Sequence, residues 1–206
     1  MRCPWADLGP EMERYHDQEW GMPVAEDRAL FEKLCLEGFQ SGLSWATILR
    51  KREAFRRAFQ GFDPERVARF TQRDVRRLLS DAGIVRHRGK IESAISNARR
   101  ACDLADERGS LAAHLWGFAP AAPRRAPRCP LPTTVPEAVA LAKDLKRRGW
   151  NFVGPTTVYA FMQAVGMVDD HLARCPARPG VEAARASVRR PGEPGRDRSR
   201  GPQPAR

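Results

Sequence analysis

No apolar run in this chain of 206 residues approaches the roughly 18 that cross a bilayer, so no membrane span is expected. The N-terminus, MRCPWADLGP, has no apolar stretch after its charge, and no export signal is expected either. Sustained alternation of polar and apolar residues is missing, which argues against half-buried strands. No internal repeat is present. Cysteine is scarce and odd in number: five residues at irregular spacing make no disulfide framework and suit a reducing cytoplasm. What is present suits one domain with a real core, 42% hydrophobic and 30% charged.

The charge is one-sided, +11 overall. Residues 177–206 hold eight arginines against three acids, a net +5, which leaves +6 on residues 1–176. The main body is therefore basic by itself, as expected of a protein that meets a polyanion such as nucleic acid, although a solvated basic surface has the same charge. Residues 177–206 are Arg, Pro, Gly and Ser with hardly an aliphatic side chain, so a disordered tail is expected there, after a helical domain over 1–176. Five prolines between 120 and 132 predict a long surface loop over 118–134.

The rest reads as helices, and the fold class as all-α. Leu30, Phe31, Leu34, Cys35 and Gly38 recur on one face after Asp27. Ser44 is placed to cap a helix whose face is Trp45, Ile48, Leu49, Phe55 and Phe59. Asp63-Pro64 and Thr71 with Asp74 are further starts, the second resembling a capping box. Ile91, Ile95 and Ala98 predict a helix to about Glu107. Segments from Pro136 to Arg148 and from Pro155 to Val165 are closed by Gly149 and Gly166.

Four constellations carry possible chemistry. In DAGIVRHRGKI, residues 81–91, Gly83 and Gly89 bracket a basic turn that enters a helix. Free amides there, with Arg86, His87, Arg88 and Lys90, suit a phosphate, as in a helix-hairpin-helix element that grips DNA backbone; an ordinary helix–helix turn has the same pattern. Cys3, His16, His171 and Cys175 are a possible closed metal shell, with His171 and Cys175 on one face if that stretch is helical; a buried cysteine and surface histidines are the alternative. Cys35, Cys102 and Cys129 lack a histidine partner and read as core or loop. Trp5, Tyr15, Trp20 and Trp45 crowd the first 45 residues, either as core or as stacking surfaces for a flat ligand. Glu37 interrupts the apolar run CLEGFQSGLSW. Either it pairs with Lys33 at i−4, or it faces those aromatics and suits a flat cation with N–H donors.

RYHDQEWG, LCLEGFQSGLSW, DAGIVRHRGKI and RRGWNFVGPTTVYAFMQAVGMVDDH, with the spaced Cys3, His16, His171 and Cys175, closely resemble the constitutive bacterial type of 3-methyladenine DNA glycosylase from Met1 to about Cys175. The resemblance does not extend to the Arg/Pro-rich tail. It implies a helix-hairpin-helix DNA glycosylase fold. It implies one structural zinc per chain on Cys3, His16, His171 and Cys175, tying the two termini together. Its pocket glutamate corresponds to Glu37, and its pocket aromatics to Tyr15 and Trp45, with Trp5 and Trp20 nearby. Its hairpin corresponds to residues 83–90, including Val85. The catalytic aspartate of many related glycosylases has no counterpart soon after Lys90, as in this family.

The implied activity is hydrolysis of the N-glycosidic bond of 3-methyladenine in double-stranded alkylated DNA. Leu43 in the turn between Glu37 and Trp45 would fill the vacated stack. No lyase activity is implied, since Lys90 reads as a backbone contact. The implied protein is a monomer, cytoplasmic and at the nucleoid while acting. Two other readings stay open. One is a non-enzymatic, damage-sensing zinc protein; the other is a zinc hydrolase, which four protein ligands would disfavour.

Overall fold

The structure, a computed structural model, describes residues 1–127 and 129–192; among them there is no strand. A 3-10 turn over Pro4–Leu8 leads into α1 (Pro10–Gln18). Then follow α2 (Asp27–Gln40), α3 (Trp45–Ala58), α4 (Pro64–Ala68), α5 (Gln72–Ser80) and α6 (Arg88–Arg108). The chain continues through α7 (Leu111–Trp116), α8 (Pro136–Arg147), α9 (Pro155–Ala164) and α10 (Arg178–Ser187). No helix among the described residues is long and apolar enough to cross a membrane.

Local chemistry sets most boundaries as expected. Ser44 caps α3 by accepting from the Thr47 amide at 3.2 Å. Asp63 caps α4, and Thr71 with Asp74 closes a full capping box on α5. Asp27 is the first residue of α2 rather than its cap; Glu26 caps that helix. The Asp27 carboxylate instead reaches across the fold to the amides of Leu111 and Ala112, at 2.9 and 2.8 Å, and so caps α7 as well.

The centre of the fold is α2. Every residue from Leu30 to Phe39 is buried, because α3, α6, α7 and α9 all pack against it. Its floor is an aromatic stack: Phe39, Phe55, Phe59 and Phe62 are fully buried, with the Phe59 and Phe62 rings nearly parallel at 5.2 Å. A helix buried on all sides loses the amphipathic stripe that sequence patterns rely on. Three charged residues, Glu32, Lys33 and Glu37, are inside with it.

The structure departs from the sequence reading, or goes beyond it, in three places. The region from 177 is not disordered at its start: α10 occupies Arg178–Ser187, with Val181 2% exposed. One valine suffices because two arginines anchor the helix. Arg178 donates to the His171 carbonyl at 2.6 Å and lies 3.5 Å from Asp169, and Arg185 donates to the Gly166 carbonyl. The remainder of that expectation, 193–206, lies outside the described residues. Second, the stretch from His171 to Cys175 is turn and coil, not helix. Third, α1 and α7 were not anticipated: α1 buries only Met12, Tyr15 and His16 along nine residues, and α7 is six residues long, too short to show a helical period.

Candidate active site

A cavity of about 330 Å³ opens between α1, α2, α3, α9 and the proline-rich loop. That is at the small end for a ligand site, which suits one small flat molecule. Its wall contains all five residues singled out for the pocket: Trp5, Tyr15, Trp20, Glu37 and Trp45. The Tyr15 and Trp45 ring centroids are 5.3 Å apart, tilted by 45°. Trp45 is the first residue of α3, so the Ser44 cap fixes its backbone. Its indole Nε1 is buried without a partner among the described residues. The turn before it needs a left-handed residue, supplied by Gly42 at φ +78°, and Gln40 braces it by donating to the Leu43 carbonyl at 2.8 Å. Leu43 is thereby held at the tip, 40% exposed.

Glu37 is only 5% exposed and bonds to no described residue. Burial pushes its carboxyl up to about 8, against the opposing attraction of Lys33. Of the two alternatives for Glu37, the ion pair with Lys33 is not made, and the residue lines the aromatic cavity. Lys33 Nζ lies 3.5 Å from Glu19 and 4.9 Å from the centroid of the Tyr15 ring. Among the described residues that line the cavity, Glu37 is the one acid, and none is a lysine.

Sequence reasoning missed Met12, Gln40, Leu131, Ala160 and Gln163 in that wall. Leu131 comes from the proline-rich loop, whose composition carries no sign of a pocket contact. Gln163 is oriented by Asp170, to which it donates at 2.8 Å, with Tyr159 donating to the same oxygen.

Beside the cavity, donor atoms of Cys3, His16 and Cys175 lie within 4.8 Å of one another, all buried: a candidate metal-binding cluster. His16 turns Nδ1 to Asp17 at 2.8 Å and leaves Nε2 toward Cys175 Sγ, 3.4 Å away. His171 is next to this trio rather than within it. Its ring meets that of His16 edge-on at 4.9 Å. Its Nδ1 is 2.9 Å from Asp169, and its Nε2 is buried with no partner among the described residues. Trp5 and Trp20 form the party wall, since both line the cavity and both contact His16.

The hairpin lies between α5 and α6. Ile84 buries its side chain, Asp81 accepts from the Gly83 amide at 2.7 Å, and Lys51 donates to the Ala82 and Gly83 carbonyls. His87 caps α6 by accepting from the Lys90 amide at 3.2 Å. Arg86, His87 and Arg88 are exposed, Val85 and Gly89 half-buried. Lys90 departs from expectation. Its ammonium is buried and donates to the Phe39 and Ser41 carbonyls, so it faces the end of α2 and not solvent. Nearby Phe152, unremarked in the sequence, is 38% exposed at φ +55°, with its ring 6.4 Å from His87. Cys35 is buried, Cys102 half-buried and Cys129 exposed, all as free thiols.

An all-helical fold with a basic hairpin beside an acid-floored aromatic cavity is the architecture of a base-excising enzyme. The chain belongs to the methyladenine glycosylase family, whose model matches residues 5–178. It is 44% identical over 182 residues to DNA-3-methyladenine glycosylase 1 of Escherichia coli, covering 87% of this chain and 97% of that protein. It is 42% identical to the DNA-3-methyladenine glycosylase of Haemophilus influenzae, covering 86% and 97%. A crystal structure of 3-methyladenine DNA glycosylase I superposes with a TM-score of 0.81 at 47% identity, over 85% of this chain and 98% of the other. The Staphylococcus aureus enzyme, solved to explain its recognition of 3-methyladenine, gives 0.81 at 38% identity, over 86% and 96%.

Proposed function

We infer that this protein is a DNA-repair glycosylase that hydrolyses the N-glycosidic bond of 3-methyladenine in alkylated DNA. The observation that carries the reading is Glu37, a buried carboxyl in an aromatic cavity that bonds to no other described residue. A group so placed is costly unless a ligand satisfies it. Methylation at N3 gives adenine a positive charge, which strengthens its exocyclic amine as a donor to a carboxylate. Tyr15 and Trp45 supply π faces for the same cation. As the bond between base and sugar breaks, its electron pair neutralises the departing base, and water adds at C1′ and gives up one proton to the solvent. The charged base leaves readily, so no strongly activated nucleophile is needed. The absence of a lysine among the described lining residues fits hydrolysis without lyase action.

The DNA would lie across the hairpin. The exposed Arg86, His87 and Arg88, and the amide of Gly89 at the start of α6, suit backbone phosphates. Leu43 is the wedge that enters the vacated stack, and Phe152 is on hand beside His87. Gly83, Val85 and Lys90 shape this face from behind rather than touch DNA.

Cys3, His16 and Cys175, completed by the orphaned Nε2 of His171, would hold one zinc ion. Two cysteines and two histidines suit a closed structural shell. Bound there, the ion supplies no catalysis; it clamps the segment carrying Trp5 and Tyr15 to the C-terminal part of the fold. The protein acts as a monomer in the bacterial cytoplasm, on double-stranded DNA of the nucleoid.

The test is to incubate the protein with dimethyl-sulfate-treated DNA and chromatograph the freed bases. Release of 3-methyladenine is expected. A protein that only senses damage would bind such DNA and release nothing.

A further inference from the structure

Glu37 poses an electrostatic problem. Its burial favours the neutral acid, which reads a cationic base poorly. Lys33 stands one turn earlier on the same face of α2, and its attraction is what opposes that burial. Lys33 is itself buried, 4.9 Å from the Tyr15 ring centroid and 3.5 Å from Glu19. Glu19, just past α1, is gripped by both terminal guanidinium nitrogens of Arg52 on α3, at 2.5 and 2.9 Å. The other charged or titratable groups around the pair are Tyr15 on α1 and Glu32 on α2. From α9, the cavity receives only Ala160 and Gln163, neither of which ionises.

We propose that Lys33 is a positioning residue for base recognition: held over Tyr15 by the Glu19–Arg52 pair, it lets Glu37 become a carboxylate when a cationic purine enters. The proposal rests on the reading of Glu37 as the group that meets the base. Lys33, Glu19 and Arg52 together carry one net positive charge, which an ionised Glu37 balances. Lys33 also repels the cationic ligand. The first effect dominates where Glu37 is on the edge of ionising. The second is all that remains once the medium is alkaline enough to ionise it anyway.

The two effects give a signature that a packing role would not. The probe is 3,9-dimethyladeninium, a cation with a methyl in place of the sugar, followed by quenching of tryptophan fluorescence from about pH 6 to about pH 9.5. Wild-type binding should tighten through a midpoint near about 8. Lys33→Met should move that midpoint up by about one unit or more, which means about tenfold weaker binding at neutral pH. At the alkaline end it should bind at least as tightly as wild type. Glu19→Gln, which removes an anion from the trio, should move the midpoint down, and it serves if Lys33→Met does not fold. In a Glu37→Gln background, neither change should alter the pH profile.

A uniform loss at every pH with an unmoved midpoint would overturn the proposal, as would a shift that persists without Glu37. If Glu37→Gln alone binds the probe like wild type at every pH, the assignment of Glu37 itself falls, which is a separate result.

Discussion

The ammonium of Lys90 donates to the carbonyl of Phe39 at 2.9 Å and to that of Ser41, tying the start of α6 to the end of α2. The hairpin and the turn that carries Leu43 are thus one mechanical unit.

That relationship separates two kinds of basic residue. Lys90→Met leaves one buried and one half-buried carbonyl short of a donor and should cost about 1–3 kcal/mol of stability, measured by urea unfolding. It should slow base release while leaving the salt dependence of DNA binding unchanged. Arg86→Ala should do the reverse: stability intact, affinity lower for all sequences, and a log–log salt slope shallower by about 1. Gly89→Asp should weaken DNA binding in the same sequence-independent way without weakening free 3-methyladenine. Equal slope changes for Lys90→Met and Arg86→Ala would refute the assignment.

Glu37 also predicts a pH effect on folding. Its carboxyl titrates near about 8 in the folded protein against an ordinary 4.5. The folded state therefore binds the extra proton between those values, so this group's contribution is full below 4.5 and is lost as pH rises through about 8. Glu37→Gln should be more stable than wild type at pH 9 by roughly 2–4 kcal/mol, and the gap should shrink toward acid pH. Thermal melts of both proteins at several pH values check it; parallel curves would contradict the shift.

Selectivity follows from hydrogen bonding rather than from charge. Methylated adenine and methylated guanine are both cations, so stacking does not separate them, but guanine presents O6 where adenine presents an amine. Facing the Glu37 carboxylate, that oxygen leaves a buried charge unpaired. Release of 3-methyladenine with little or no 7-methylguanine is expected. Trp45→Ala should weaken 3-methyladenine binding by roughly 1–3 kcal/mol through loss of the stack. Comparable yields of the two bases from methylated DNA would rule out Glu37 as the reader.

Metal analysis of freshly purified, reduced protein should find about one zinc per chain, and a strong chelator should lower the melting temperature. His171→Ala should damage folding before chemistry. Val181 and His171 both crowd Gly21, within 3.2 and 3.0 Å of where a Cβ on that glycine would stand. Val181→Ala should therefore loosen α10 from the site, cost about 1–2 kcal/mol, and speed zinc loss to the chelator. Zinc loss at the wild-type rate would show that α10 plays no part in guarding the site.

What could be read from the sequence was local. Caps at Ser44, Asp63 and Thr71 and the faces of α3 and α6 depend on contacts within one helical turn, and those spacings are written in the chain. The resemblance extended this to the identity of the pocket residues, because their motifs are contiguous. What only the tertiary structure decided were partners distant in the chain. Lys33 sits at pairing distance along the helix from Glu37, yet it turns to Glu19, because that carboxylate arrives from another element already held by Arg52. Lys90 looks like a phosphate contact in a basic turn, yet the open carbonyls at the end of α2 come within its reach and take its ammonium. α10 was invisible because composition counts aliphatic residues and not their placement: one valine seated beside His171, and two arginines reaching carbonyls and a carboxylate, suffice to dock a helix that looks like a tail. A buried charge takes the partner that folding brings nearest, and nearness in space is settled only when the helices have packed.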